Sequence, residues 1–185
     1  MNDELSKYLP SYSNQDFQME VVSTSIASIS SCFSCGNSEI DKYFKENADQ
    51  DNNVCYAYYD RKTGAVVGLA SVCCSGINLN DKRITMLFPA IKIDFFAVSV
   101  DYQDILFPGS TCDEHFYLSD MFLCSLISEL RNIADNCVGA AYIILYSVPK
   151  AEHFYRRNYF SKFEDFMRPE QHRYIDDCVP MLMRI

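Results

Sequence analysis

The chain has 185 residues, 49% apolar and 22% charged, with six glycines and six prolines. That composition supports one packed core and excludes a disordered or fibrous chain. Sixteen Lys and Arg against 25 Asp and Glu leave a net charge of −9, which argues against broad nucleic-acid binding and anionic membranes and suits cationic substrates.

Met1-Asn2-Asp3-Glu4 is acidic and no apolar run follows it, so no signal peptide is expected. The apolar runs reach about six to ten residues, short of the ~20 that a membrane-spanning helix needs. The expectation is a soluble, cytoplasmic protein of a single domain over 1–185, with 1–30 as an N-terminal extension or first-strand region. Nine cysteines, an odd number in a chain long enough to bury its own core, read as thiols rather than a disulfide framework.

In chain order, 17–22 reads as a strand. Cys32-Phe33-Ser34-Cys35-Gly36-Asn37 is a turn cluster. Ser38 with Asp41 three residues on resembles a helix-start box, and Ile40, Tyr43, Phe44 and Ala48 recur at helical spacing, which predicts a short amphipathic helix over 38–49. The aromatic segment 54–60, the turn Arg61-Lys62-Thr63-Gly64 and the apolar run 65–74 form a hairpin. Residues 75–89 read as a looser connection ending at Pro89. The segment 91–100 is strongly β, and its continuously apolar second half is expected to be covered on both faces. A long loop, 101–117, precedes a helix that starts at Leu118. Its wide apolar face is built by Phe122, Leu126, Leu130 and Ile133 with Leu118, Met121, Ile127 and Ala134, and it ends at 137–139. A buried strand at 141–146, a helix opened by Pro149 and running to about Arg157, and a last strand at 179–184 complete the order. A hairpin first and β-α-β later predict an α/β sandwich around a mixed sheet.

Three segments together resemble the GNAT superfamily of N-acetyltransferases over roughly 33–185. The first is Phe33-Ser34-Cys35-Gly36-Asn37-Ser38-Glu39-Ile40-Asp41-Lys42-Tyr43-Phe44 with the hairpin after it, similar to the branch of acetyltransferase toxins from toxin–antitoxin pairs. The second is Phe95-Phe96-Ala97-Val98-Ser99-Val100-Asp101-Tyr102-Gln103, which resembles the central strand entering the cofactor loop. The third, Ala151-Glu152-His153-Phe154-Tyr155-Arg156-Arg157-Asn158-Tyr159-Phe160, is similar to A-x-x-F-Y-x-x-x-G-F. The resemblance implies a mostly antiparallel mixed sheet with a splayed parallel pair (here 91–100 and 141–146), helices on both faces, and acetyl-CoA as co-substrate. It implies that backbone of Phe96, Ala97 and Val98 holds the pantetheine arm, and that Tyr155 protonates the departing sulfur. Asp94 stands where some members carry a carboxylate base; a solvated strand-edge carboxylate is the alternative, as a core-capping tyrosine is for Tyr155.

The family's pyrophosphate signature, Q/R-x-x-G-x-G/A, is broken. After Gln103 the two glycine positions hold Leu106 and Pro108, which lacks an N–H, and Asp113 and Glu114 follow. The helix start at Leu118 and Ser119 is then the remaining anion site, through its N–H groups and dipole. Val148 replaces a frequent Asn, and Tyr159 stands at the usual glycine. Cys32-x-x-Cys35 has no second ligand pair, so no metal is expected; His115, His153 and His172 suggest no triad, and His153 is expected to be surface or half-buried. Two functions follow: acetyl transfer to a primary amine of a small molecule, peptide or protein, or a GNAT-fold binding module that no longer takes CoA. Net charge argues against tRNA as acceptor, with a basic patch of Lys150, Arg156, Arg157 and Lys162 on the other side; a homodimer stays open.

Overall fold

A computed structural model describes residues 16–23, 25–50, 52–81, 84–107, 116–164, 167–168 and 177–185. The elements are β1 (Phe17–Val21), α1 (Ile26–Ile29), α2 (Ser38–Lys42, continued by a π turn Tyr43–Asn47), β2 (Val54–Asp60), β3 (Val66–Asp81), β4 (Ile84–Val98), α3 (Leu118–Ile133), β5 (Tyr142–Ser147), α4 (Glu152–Arg157), β6 (Ser161–Lys162), β7 (Met167–Arg168) and β8 (Val179–Arg184). The sheet order is β1-β2-β3-β4-β5-β8-β6, with β7 on β3. Strands β4 and β5 run parallel, while β1–β2, β3–β7, β5–β8 and β6–β8 are antiparallel. This is the mixed, mostly antiparallel α/β fold expected from the sequence.

The chain divides into two compact units, Met1–Ser71 with Phe95–Ser128, and Val72–Asp94 with Glu129–Ile185. In the first, successive residues of β2 serve two layers, as strand alternation requires. Ala57 joins Ile26, Phe33, Tyr43, Phe44, Leu69 and Ala97 in one apolar cluster. Tyr58 stacks on Phe122 of α3 at 4.9 Å and its hydroxyl donates to the Phe122 carbonyl at 3.0 Å. A Cβ at Gly68 would sit 3.1 Å from the Tyr58 ring and 3.4 Å from the Ala97 carbonyl, so this position needs a residue without a side chain. In the second unit Ile77, Ala90, Ile144 and Leu182, contributed by four strands, form the buried cluster.

Two local expectations change. Asn37, not Ser38, caps α2: its side chain accepts from the N–H groups of Glu39 and Ile40. Asp41 instead accepts from the Cys35 N–H at 2.8 Å and the Ser34 hydroxyl at 2.7 Å, and so ties the preceding turn down. The segment 75–89 is not a loose connection, because β3 continues to Asp81 and β4 begins at Ile84. Ser75-Gly76 and the polar residues Asn78, Asn80 and Asp81 read as turn chemistry. Yet buried Ile77 and half-buried Leu79 alternate with exposed Asn78, and β7 pairs with Asn78 and Leu79. Pro89 is tolerated inside β4, where its carbonyl accepts the Ala141 N–H at 2.9 Å.

Tyr58→Phe removes the hydroxyl bond and keeps the ring stack. A loss of about 1 kcal/mol is expected, read as a fall in melting temperature of about 2–4 °C.

Candidate active site

The parallel ladder is short. Ala90, Ile91, Lys92 and Ile93 pair with Tyr142, Ile143, Ile144 and Leu145, whereas β4 runs on to Val98 and β5 to Ser147. Strand β8 follows β5 through all six residues, from Tyr142–Arg184 to Ser147–Val179. Strand β5 is thus held on its β8 side beyond the point where its ladder with β4 ends. Asp94 is the first residue of β4 past that point, and Phe96, Ala97 and Val98 continue the strand; Ala97 and Val98 are buried and Phe96 half-buried.

Asp94 is not a solvated strand-edge carboxylate. Its side chain is 21% exposed and its Oδ1 lies 3.0 Å from Nζ of Lys92, whose own side chain is 9% exposed. Lys92 and Asp94 share one face of β4 by alternation. On β3, burial first and then the neighbouring Asp94 carboxylate push the Cys73 thiol up to about 12.

Helix α4 carries Tyr155. The residue is 9% exposed, its ring meets Phe154 at 5.1 Å and Phe160 at 5.8 Å, both edge-on, and burial raises the phenol far above the usual tyrosine range. The helix then closes in a left-handed turn. Asn158 donates from its side chain to the Phe154 carbonyl at 2.9 Å, and Tyr159 takes φ +67° where the sequence resemblance has glycine. Exposed His153 lies on the same helix. Glu152 takes both Lys162 at 3.0 Å and Arg156 at 3.7 Å, while the Arg157 guanidinium lies 5.1 Å from the centre of the Phe154 ring.

The expected anion site at the start of α3 is already occupied from within. The Leu118 N–H donates to the Ile105 carbonyl at 2.9 Å and the Asp120 N–H to Tyr117 at 3.0 Å. The Tyr117 N–H donates to Oδ2 of Asp120 at 2.9 Å. Asp120 is only 2% exposed, so a buried carboxylate already faces the positive end of the helix dipole. The expectation of free N–H groups at Leu118 is corrected; Ser119 beside it is buried as well. Gln103 donates through Nε2 to the carbonyls of Cys35 and Val98, 2.8 Å each, and so clasps the turn before α2 to the end of β4. Leu106 forms an isolated bridge with Tyr117. Pro108, Asp113, Glu114 and His115, like His172, lie outside the described residues.

Cys35 is held protonated, its thiol pushed up to about 11 by burial and then by Asp41. Among the described residues no group of three His, Cys, Asp or Glu side chains could hold a metal ion. No described helix is long and apolar enough to cross a membrane. Sequence reasoning named Asp94 and Tyr155 but missed Lys92 and Cys73. The signal was present in a lysine two residues before the aspartate, on the same face of a strand otherwise apolar.

No protein-family model matches the sequence, and no curated protein matches it. Solved structures do. A bacterial toxin is similar at TM-score 0.67 and 16% identity, covering 91% of this chain and 90% of its own. A tyrosine-to-phenylalanine mutant of KacT is similar at TM-score 0.66 and 15% identity, covering 92% and 95%. AtaT is similar in its complex with acetyl-methionyl-tRNAfMet, at TM-score 0.62 and 14% identity over 89% and 94%. Its tyrosine-to-phenylalanine mutant, bound to acetyl-CoA and the C-terminus of the antitoxin AtaR, is similar at TM-score 0.57 and 14% identity over 91% and 93%. The chain therefore has the GNAT-like fold of these toxins, as its segments suggested.

A left-handed tyrosine is disfavoured by its Cβ where glycine is not. Tyr159→Gly is expected to raise the melting temperature by about 1–3 °C, the equivalent of roughly 0.5–1 kcal/mol; calorimetry of the two proteins checks it.

Proposed function

We propose that the chain is an acetyl-CoA-dependent N-acyltransferase that moves an acetyl group to a primary amine of a small molecule, peptide or protein. The observation that carries this reading is the buried Tyr155 phenol on the helix whose sequence resembles the family's tyrosine segment. Acetyl-CoA supplies the acyl group as a thioester. Backbone of β4 at Phe96, Ala97 and Val98 is the part of the chain suited to an extended pantetheine arm, which pairs as a strand would. Tyr155 holds a proton at every working pH and gives it to the departing sulfur. Asp94 takes the proton of the attacking amine. Each transfer is of the kind worth about 10²–10⁴-fold in rate.

The phosphate end fits less well than the thioester end. Asp120 and the engaged Leu118 N–H repel or ignore an anion at α3, and Gln103 is already clasped. This supports a second reading, a GNAT-fold binding module that does not take CoA. The acceptor class also keeps a tRNA-borne amine in view. AtaT was solved with acetyl-methionyl-tRNAfMet, and Lys150, Arg156, Arg157 and Lys162 against Glu152 give a local charge of 4 − 1 = +3 in a chain of −9.

Titration calorimetry with acetyl-CoA separates the two readings. Micromolar binding, about −8 kcal/mol, is expected; no heat at ~1 mM acetyl-CoA, roughly a thousandfold above that dissociation constant, selects the binding module. Given binding, Tyr155→Phe is expected to lower turnover at least tenfold while acetyl-CoA affinity stays within about twofold. Equal turnover in the two proteins would remove Tyr155 from the reaction.

A further inference from the structure

Lys92 is a buried charge in an apolar setting. Its register partner on β5 is Ile144, and Ala90, two residues before it, is in the same buried apolar cluster. An apolar side chain at 92 would pack there, and replacing a buried ion pair by apolar residues is often neutral or stabilising. A buried ammonium is nevertheless present, 3.0 Å from Asp94. The Cys73 thiol on β3 neighbours the same carboxylate. Two positions along the same face of β3, the Ser75 hydroxyl is buried with no hydrogen-bond partner among the described residues. Such an orphan marks a place for a polar atom that the described residues do not supply. All four residues belong to one compact unit, and Asp94 is the first residue of β4 beyond the parallel ladder.

We infer that Lys92 and Cys73 are positioning residues that hold the Asp94 carboxylate in one orientation, so that its remaining lone pairs take the proton of the acceptor amine where the β4–β5 ladder ends. The inference rests on the acyl-transfer reading. A carboxylate offers about four acceptor sites, and Lys92 engages one of its oxygens. In the step, the amine nitrogen bonds to the thioester carbon and the C–S bond breaks. The amine proton passes to Asp94, and the sulfur takes the Tyr155 proton; solvent then removes the one and restores the other. Lys92 and Cys73 transfer nothing. Their contribution is geometry and charge, which act in turnover rather than in cofactor binding.

The test is steady-state release of CoA thiol by the full chain, with acetyl-CoA and glycinamide as the amine probe. Lys92→Met is expected to lower kcat at least tenfold with KM for acetyl-CoA within about twofold, and Lys92→Arg to recover most of the loss. Cys73→Ala removes no charge and is expected to lower kcat about threefold at unchanged KM; it carries the test if Lys92→Met fails to fold. The double variant Lys92→Met with Asp94→Leu is expected to regain the melting temperature but not the turnover. Variants that turn over like the parent, or that move KM alone, overturn the inference while the acyl-transfer reading stands. Absence of acetyl-CoA binding by the parent chain in calorimetry overturns that reading instead, and the inference with it.

Discussion

Everything proposed for this chain depends on a parallel strand pair that stops after four residues. Strand β5 is held by β8 along its whole length and by β4 only from Ala90 to Ile93. Apolar packing anchors the paired half, with Ile77, Ala90, Ile144 and Leu182 buried together. There the side chains change character, from Ile91 and Ile93 to a carboxylate 3.0 Å from an ammonium. Ladder end and ion pair coincide within two residues, and the proposed role of Asp94 starts from that coincidence.

The proposed reading asks different chemistry of the two ends of a CoA thioester. For the reacting end it draws on a desolvated phenol, Tyr155, and a carboxylate paired with Lys92, both of which would act through proton position. At the start of α3, where an anion would gain from the helix dipole, Asp120 supplies the negative charge from within and Ile105 takes the first N–H. Gln103, which opens the degenerate phosphate motif, has become a structural clasp. The same residues that make the helix start self-sufficient make it a poor phosphate cradle.

Much of the fold was legible because its signals are local. The 54–60 strand, the Gly64 turn, the apolar face starting at Leu118 and the strand 179–184 are where periodicity and turn chemistry place them. The arm formed by the far half of β3 and the near half of β4 was not, since Ser75, Gly76, Asn78 and Asn80 imitate a loop and only the burial of Ile77 shows a strand. Tyr155 and Asp94 were reachable by likeness to a family. Lys92 carried only a local signal, two residues before Asp94 on one strand, while Cys73 was hidden because its place beside Asp94 comes from two strands brought side by side, a non-local fact. The closed start of α3 was hidden for a similar reason: Asp120 reads as an ordinary acidic first-turn residue until its burial and its bond to Tyr117 are seen.

The most direct measurement is amide hydrogen exchange of the full chain with and without ~1 mM acetyl-CoA, a concentration far above a micromolar dissociation constant. The account predicts slower exchange in the β4 peptide that contains Phe96, Ala97 and Val98, with no matching protection at the first turn of α3. Unchanged exchange along β4, or protection confined to Leu118 and Ser119, would contradict it.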